Sequence, residues 1–124
     1  MWSLTQYDKL VWLDGDSIIM QNIDELFKYS ELSAAQDYVG KKLIPDKICG
    51  GLMVIEPSEQ RYSDLIALLY KDTSKIWYNG EQELVNFYYD QKGKITILEP
   101  HWSTFIYPGC PPVSSQKVGH WTHW

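Results

Sequence analysis

Residues 10–16 read Leu10-Val11-Trp12-Leu13-Asp14-Gly15-Asp16, four apolar side chains followed by two carboxylates around a glycine. An unbroken apolar run closed by Asp and Gly has the pattern of a buried strand of a parallel sheet, here from Lys9 to Leu13. Open α/β sheets take ligands just beyond the carboxyl ends of their strands. Two carboxylates two residues apart at such an end can converge on one hard divalent cation, which in turn holds a phosphate-bearing substrate. Asp-Gly-Asp is also ordinary turn chemistry, so a polar turn closing the strand is the plain alternative. An EF-hand loop starting at Asp14 fails, because its third ligand and its obligatory glycine would fall on Ile18 and Ile19. An aspartyl-phosphate phosphatase also opens with Asp-x-Asp after a strand, followed by Ser or Thr, here Ser17. The tail of the chain has no strand ending in paired Asp, which leaves that reading behind.

Outward from this stretch the chain alternates. Trp2 to Tyr7 reads as the close of a helix. Ile18 to Met20 is a short extended piece, and Asn22 is placed to cap a brief helix through Phe27. Leu32 to Gln36 reads as a second strand, and Asp37 to Lys47, with Gly40 and Pro45 and no periodicity, as a polar loop. Gly51 to Ile55 is another buried strand, ended by Pro57. Ser58 caps a helix with Tyr62, Leu65, Ile66 and Leu69 at helical spacing, and Glu81 to Tyr89 forms a second helix with Leu84, Val85 and Tyr88 inward. Ile95 to Leu98 is a strand, Pro108 to Pro112 a break, and Lys117 to Trp121 a last extended piece. Strands alternating with helices imply an α/β sheet.

Composition narrows the function. The chain has 124 residues, 44% hydrophobic and 22% charged, with net charge −5. That length makes one domain with a real core. The acidic balance argues against a nucleic-acid partner, which needs clustered Lys and Arg. Six Trp and nine Tyr serve a core first, although sugar rings also stack on aromatic faces. No apolar stretch approaches the length of a membrane span, and no signal peptide is visible. Cys49 and Cys110 lack metal-binding spacing and read as free thiols, which leaves the compartment open.

Several blocks, in order, resemble the family-8 glycosyltransferases, among them glycogenin, the plant xylan glucuronosyltransferases and galactinol synthase. They are Trp2-Ser3-Leu4-Thr5-Gln6-Tyr7-Asp8-Lys9, Val11-Trp12-Leu13-Asp14-Gly15-Asp16 and Asn22-Ile23-Asp24-Glu25-Leu26-Phe27. Leu32-Ser33-Ala34-Ala35, Gly51-Leu52-Met53-Val54-Ile55-Glu56-Pro57-Ser58, Gly80-Glu81-Gln82-Glu83-Leu84-Val85-Asn86 and Lys117-Val118-Gly119-His120 continue the series. An ordered series over almost the whole chain is far more specific than any one motif.

The resemblance implies a partial GT-A fold, a Rossmann-like nucleotide-sugar transferase with a mixed, mainly parallel sheet and helices on both faces. It implies that residues 1–124 are the C-terminal part of a catalytic domain. The expected activity is retaining transfer of a hexose from a UDP-sugar to a carbohydrate, polyol or protein acceptor. By the same resemblance Asp14, Asp16 and His120 hold Mn²⁺, a cation that accepts carboxylate oxygen and imidazole nitrogen together. Glu81 and Gln82 match the pair that positions the donor sugar, with Asp14 also on the donor side. Cys49 and Gly50 fall where the family has an Asn-x-Gly sugar contact, and a thiol donates far more weakly than a carboxamide. His101 and His123 match no family ligand, whereas Tyr107 sits near the self-glucosylated tyrosine of glycogenin. The family's base-binding stretch and its diphosphate lysine have no match, so the chain by itself is expected to be inactive. If an N-terminal unit is missing, the edge of the Lys9 to Leu13 strand, or of a neighbouring strand, is expected to lack its partner and to favour aggregation or pairing with another chain. The compartment would be cytoplasmic for a glycogenin-like protein and the Golgi lumen for a xylan-transferase-like one.

Overall fold

The structure is a computed structural model that describes residues 1–39, 42–71, 80–93, 95–106 and 115–121. Strands β1 (Leu10–Leu13), β3 (Ser33–Val39), β4 (Lys42–Ile55) and β5 (Thr96–Ile97) form one sheet in the order β1-β4-β3-β5. Strands β2 (Ser17–Ile19), β6 (Thr104–Ile106) and β7 (Val118–Trp121) form a second, in the order β2-β7-β6. The α/β class and the mixed sheet are as the sequence implied. The mainly parallel pairing is not: β1–β4, β3–β4 and β2–β7 are antiparallel, while β3–β5 and β6–β7 are parallel. An apolar run carries no direction, and β1, expected to be buried, is half-buried at the end of its sheet's strand order. Because only two residues separate β3 from β4, the chain must fold straight back.

That hairpin replaces the polar loop read over Asp37 to Lys47. Val39 pairs with Lys42 and Tyr38 with Leu43, after which the register jumps to Gln36 opposite Ile48. The surplus on β4 forms a bulge holding Pro45, whose missing N–H costs no ladder bond there, and Asp46 at φ 58°. Gln36 Nε2 donates to the Ile44 carbonyl at 3.1 Å and pins the bulge. Residues that look like loop punctuation are therefore bulge residues inside a strand.

Alternation along β3 and β4 sorts the core into two layers. Ala34, Met53 and Ile55 point to one side, with Leu65 from helix α1 (Glu59–Lys71) and Val85, Tyr88 and Tyr89 from helix α2 (Gly80–Lys92). Ala35, Leu52 and Val54 point to the other, with Leu26 from a 3-10 helix (Asp24–Lys28), Leu98 and Trp102. Among the described residues both α-helices thus share one face, and the 3-10 helix and the segment around Leu98 and Trp102 cover the other. The expected helices on both faces take the form of two α-helices on one and a 3-10 helix on the other. Each fully buried aliphatic side chain contributes about 1.5–3 kcal/mol.

Helix α2 turns Val85 and Tyr88 inward as expected. Helix α1 does not follow its reading: Leu65 is buried and Leu68 packs on the core, whereas Tyr62, Ile66 and Leu69 are exposed. Its inward stripe carries Arg61, a charged residue that hides the periodicity. Ser58 Oγ does accept from the Arg61 N–H (3.4 Å), whereas the 3-10 helix begins after Ile23 without a side-chain cap, Asn22 Oδ1 accepting the Asp24 N–H (3.0 Å) from one residue further out. The segment from Trp2 to Tyr7 is a pair of turns rather than a helix end, with Leu4 N–H bonded to the Met1 carbonyl and Tyr7 N–H to that of Leu4. Strand β1 ends the strand order of its sheet and leaves Trp12 partly exposed.

Candidate metal centre

The Asp-Gly-Asp stretch is the passage from one sheet to the other. Asp14 extends the β1–β4 ladder by one bond, its N–H donating to the Gly51 carbonyl at 3.2 Å. The Ser17 N–H then bonds back to the Asp14 carbonyl at 3.0 Å, closing a tight turn that puts both carboxylates beside it. Strand β2 starts at Ser17, whose ladder partner on β7 is His120. The turn and the ladder together bring a histidine from the far end of the chain to the two aspartates. His120 Nε2 lies 3.1 Å from Asp16 Oδ1 and 3.6 Å from Asp14 Oδ2. One ligand atom from each residue lies within 4.8 Å of the other two. Ligands bonded to one cation at about 2–2.5 Å stand at such separations, and two oxygens with one imidazole suit a first-row divalent ion.

The imidazole is clamped from behind. A Cβ on Gly51 would stand 2.3 Å from His120 Cε1 and 2.4 Å from Nδ1, so only glycine lets the ring lie on that backbone. Cys49 Sγ is 3.8 Å from Nδ1 and accepts the Gly51 N–H at 3.4 Å. Burial pushes the Cys49 thiol up to about 11, with the nearby Asp37, Asp14 and Asp16 adding to the effect against the Gly51 amide, so it remains a thiol near neutrality. Gly15 differs from Gly51: a Cβ there would meet nothing within 4 Å.

A second cluster lies at the start of α2, where Gly80 takes φ 58°, a conformation that favours glycine. Gln82 Oε1 accepts the Gly50 N–H at 2.8 Å, and its Nε2 donates to Asp37 Oδ2 at 2.9 Å. Burial raises the Asp37 carboxyl above its ordinary value, moderated by the Tyr38 and Gln82 donors. Asn86, one turn on, accepts the Ile48 N–H and donates to the Ile48 carbonyl, both at 2.9 Å, fixing α2 to β4. Glu81 sits beside them, exposed, its Oε1 3.8 Å from the Cβ position of Gly50. A cavity of about 330 Å³ opens there, lined by Asp37, Gln82, Asn86 and Phe87 among others.

The two clusters meet at Cys49-Gly50-Gly51. Cys49 and Gly51 back His120, and Gly50 joins Gln82. The Cys49 side chain is buried against the histidine, so Gln82 and Asp37 form the polar wall on the cavity side. Sequence reasoning missed Asp37, although a carboxylate just past an apolar strand is the signal that singled out Asp14. It also missed Gly51 as the ring's platform, for which no local signal exists. His101 lies tilted against Trp102, 5.0 Å between centroids at 37°. Tyr107, Pro108–Pro112, Cys110 and His123 lie outside the described residues. No helix among the described residues is long and apolar enough to cross a membrane.

No family model matches the chain. Mouse (Mus musculus) glycogenin-1 is 41% identical over 88 residues, covering 71% of this chain and 25% of the relative. Human (Homo sapiens) glycogenin-1 is 39% identical over 88 residues, covering 71% and 23%. Inositol phosphorylceramide glucuronosyltransferase 1 of Arabidopsis thaliana is 30% identical over 100 residues, covering 81% and 17%. The chain thus spans a quarter or less of the length of these curated relatives. Taken with the mixed α/β sheet and the ordered motifs, these similarities make this stretch glycogenin-like, similar to the family-8 glycosyltransferases over 71–81% of its own length.

Proposed function

We propose that residues 1–124 are the C-terminal, metal- and sugar-holding part of a catalytic domain that moves a hexose from a UDP-sugar to an acceptor hydroxyl with retention. Asp14, Asp16 and His120 hold Mn²⁺. The observation that carries the reading is the meeting of these three side chains from two sheets, in a chain whose relatives include a glycogenin and a glucuronosyltransferase. A cation there supplies Lewis-acid stabilisation of the charge left on a departing diphosphate. The protein's own share is placement: Gln82, fixed between Gly50 and Asp37, and Glu81 beside it orient the donor sugar against the acceptor. Asp37 adds a carboxylate to the same wall. The acceptor is a carbohydrate, a polyol or a protein hydroxyl, and neither nucleic acid nor a membrane span enters the reading. Pairing of two copies along β1, which ends its sheet among the described residues, belongs to the same proposal.

The test is release of UDP from UDP-glucose and UDP-glucuronate, with Mn²⁺, by the natural gene product in its full length. Turnover that disappears with chelator and in Asp16→Ala is expected. Turnover indifferent to both would remove the metal from the mechanism. A second reading, a metal-binding remnant without transfer, is favoured by Cys49, which stands at the family's sugar-binding Asn and packs against His120 instead. Mn²⁺ binding without any UDP release, from a chain that includes the base-binding stretch, would select it. The 124-residue chain alone is expected to release no UDP.

A further inference from the structure

We propose that the cavity beside Gln82 selects an uncharged hexose and turns away a uronic acid, because the described residues lining it offer carboxylates and one lysine that is already paired. The inference rests on the transferase reading above and chooses between the two kinds of donor sugar that reading leaves open. The metal cluster and the Gln82 cluster share Cys49-Gly50-Gly51. A donor whose diphosphate lies at Asp14, Asp16 and His120 therefore carries its sugar over this tripeptide toward Gln82. The diphosphate is attached at the anomeric carbon. The opposite end of the ring bears the hydroxymethyl group of a hexose or the carboxylate of a uronic acid. That end is the one that enters the cavity of about 330 Å³.

Asp37 from β3 and Asp90 from α2 bring carboxylates to the wall, and Lys47 from β4 is the single cation among the described lining residues. Lys47 Nζ forms an ion pair with Asp90, so its charge is already answered. Asp37 is held by two neutral donors, the Tyr38 N–H at 2.8 Å and Gln82 Nε2 at 2.9 Å. Burial raises its carboxyl above the ordinary value, so the cavity resists negative charge even in its own side chain. A guest carboxylate would lose hydration beside Asp37 and gain no counter-charge in return. A hydroxymethyl group meets no such cost: its hydroxyl donates to a carboxylate, and its carbon lies on the apolar surface of Ile44 and Phe87. Discrimination then comes from repelling the wrong sugar, not only from holding the right one.

The test is calorimetric titration of the natural gene product in its full length, with Mn²⁺, by UDP-glucose and by UDP-glucuronate, with UDP release read alongside. The parent is expected to bind UDP-glucose at least about tenfold more tightly than UDP-glucuronate. Asp37→Asn is expected to shrink that ratio by about fivefold or more, since it removes the half-buried charge. Asp90→Asn, which leaves Lys47 to meet the uronate, is expected to shrink it by about threefold. A merely structural role would weaken both donors alike, so a ratio that neither variant changes overturns the part given to these carboxylates. If UDP-glucuronate binds the parent as tightly as UDP-glucose and UDP is released, the selectivity is overturned while the transferase reading stands. If UDP-glucose binds preferentially and no UDP is released, transfer falls and the selectivity is upheld. If neither donor binds, both fall.

Discussion

Glu31 and the Asp14–Asp16 pair hold negative charge in opposite ways. The Glu31 side chain is 1% exposed and is surrounded by donors. Trp2 Nε1 and the Tyr89 hydroxyl donate to its Oε1 at 2.8 and 2.7 Å, and Arg61 Nε stands 2.7 Å from Oε2. Burial, and then Glu31 itself, keep the Tyr89 phenol far above its ordinary range, so it stays a donor. Asp14 and Asp16 are 31% and 27% exposed and aim oxygens at one imidazole nitrogen. A carboxylate ringed by donors ties elements together; carboxylates converging on a point with a histidine mark a place for a cation.

The largest effect should come from breaking the first arrangement. Glu31→Ala orphans the buried Tyr89 hydroxyl proton, at a cost of about 1–3 kcal/mol, whereas Trp2 Nε1 keeps the Tyr89 oxygen as acceptor at 3.1 Å. Arg61 is more than a third exposed, so its ion pair adds little. A loss of about 1–3 kcal/mol is expected in urea unfolding, with the same slope as the parent. Asp16→Ala should leave metal-free stability nearly unchanged and remove the stabilisation that Mn²⁺ gives the parent. Should Asp16→Ala cost as much as Glu31→Ala without metal, the contrast between a tie and a receptor would collapse.

A smaller effect should separate the two glycines of the receptor. Gly51→Ala drives a Cβ into the His120 ring, and the imidazole must leave the carboxylates. Mn²⁺ affinity should fall by about tenfold or more, comparable with losing an outer-shell partner. Gly15→Ala, inside the Asp-Gly-Asp stretch itself, adds a methyl where nothing lies within 4 Å and should change affinity by less than about twofold. Calorimetric titration of both variants would show whether the ring platform or the turn residue matters more. The reverse order would mean that the His120 ring does not contribute a ligand.

The receptor was more legible than the tie, for physical reasons. Asp14, Asp16 and His120 lie in ordered motifs next to apolar runs, and the order of strands and helices follows from periodicity. Glu31 left no trace, because an acid beside Ser30 and Leu32 reads as surface, and its partners come from Trp2, Arg61 and Tyr89, distant in sequence. The same ion pair explains the misread face of α1, where Arg61 occupies the inward stripe beside Leu65 and Leu68. The β3–β4 hairpin was hidden by Pro45 and Asp46, whose turn chemistry is spent on a bulge within the strand. Strand direction was illegible throughout: Leu10-Val11-Trp12-Leu13 reads as buried but is half-buried with Trp12 exposed, and only the ladder to β4 states that it runs antiparallel.

Asp37 is the intermediate case, and the smallest effect belongs to it. It is half-buried, with a side-chain donor from Gln82 and a backbone donor from Tyr38, and burial outweighs both in raising its carboxyl above the ordinary 3.8. The folded chain therefore keeps the Asp37 proton at pH values where the unfolded chain has released it. Its contribution to stability is full below the ordinary aspartate value and is lost as pH rises through the raised one. Asp37→Asn removes this titration while its carbonyl still accepts from Gln82 Nε2. Thermal unfolding across acidic to neutral pH should show the variant gaining slightly on the parent as pH climbs through that window, with the difference constant above it. If the parent gains on the variant instead, Asp37 is held as an ionised partner in the manner of Glu31, and the wall beside Gln82 is a second tie rather than a face open to a sugar.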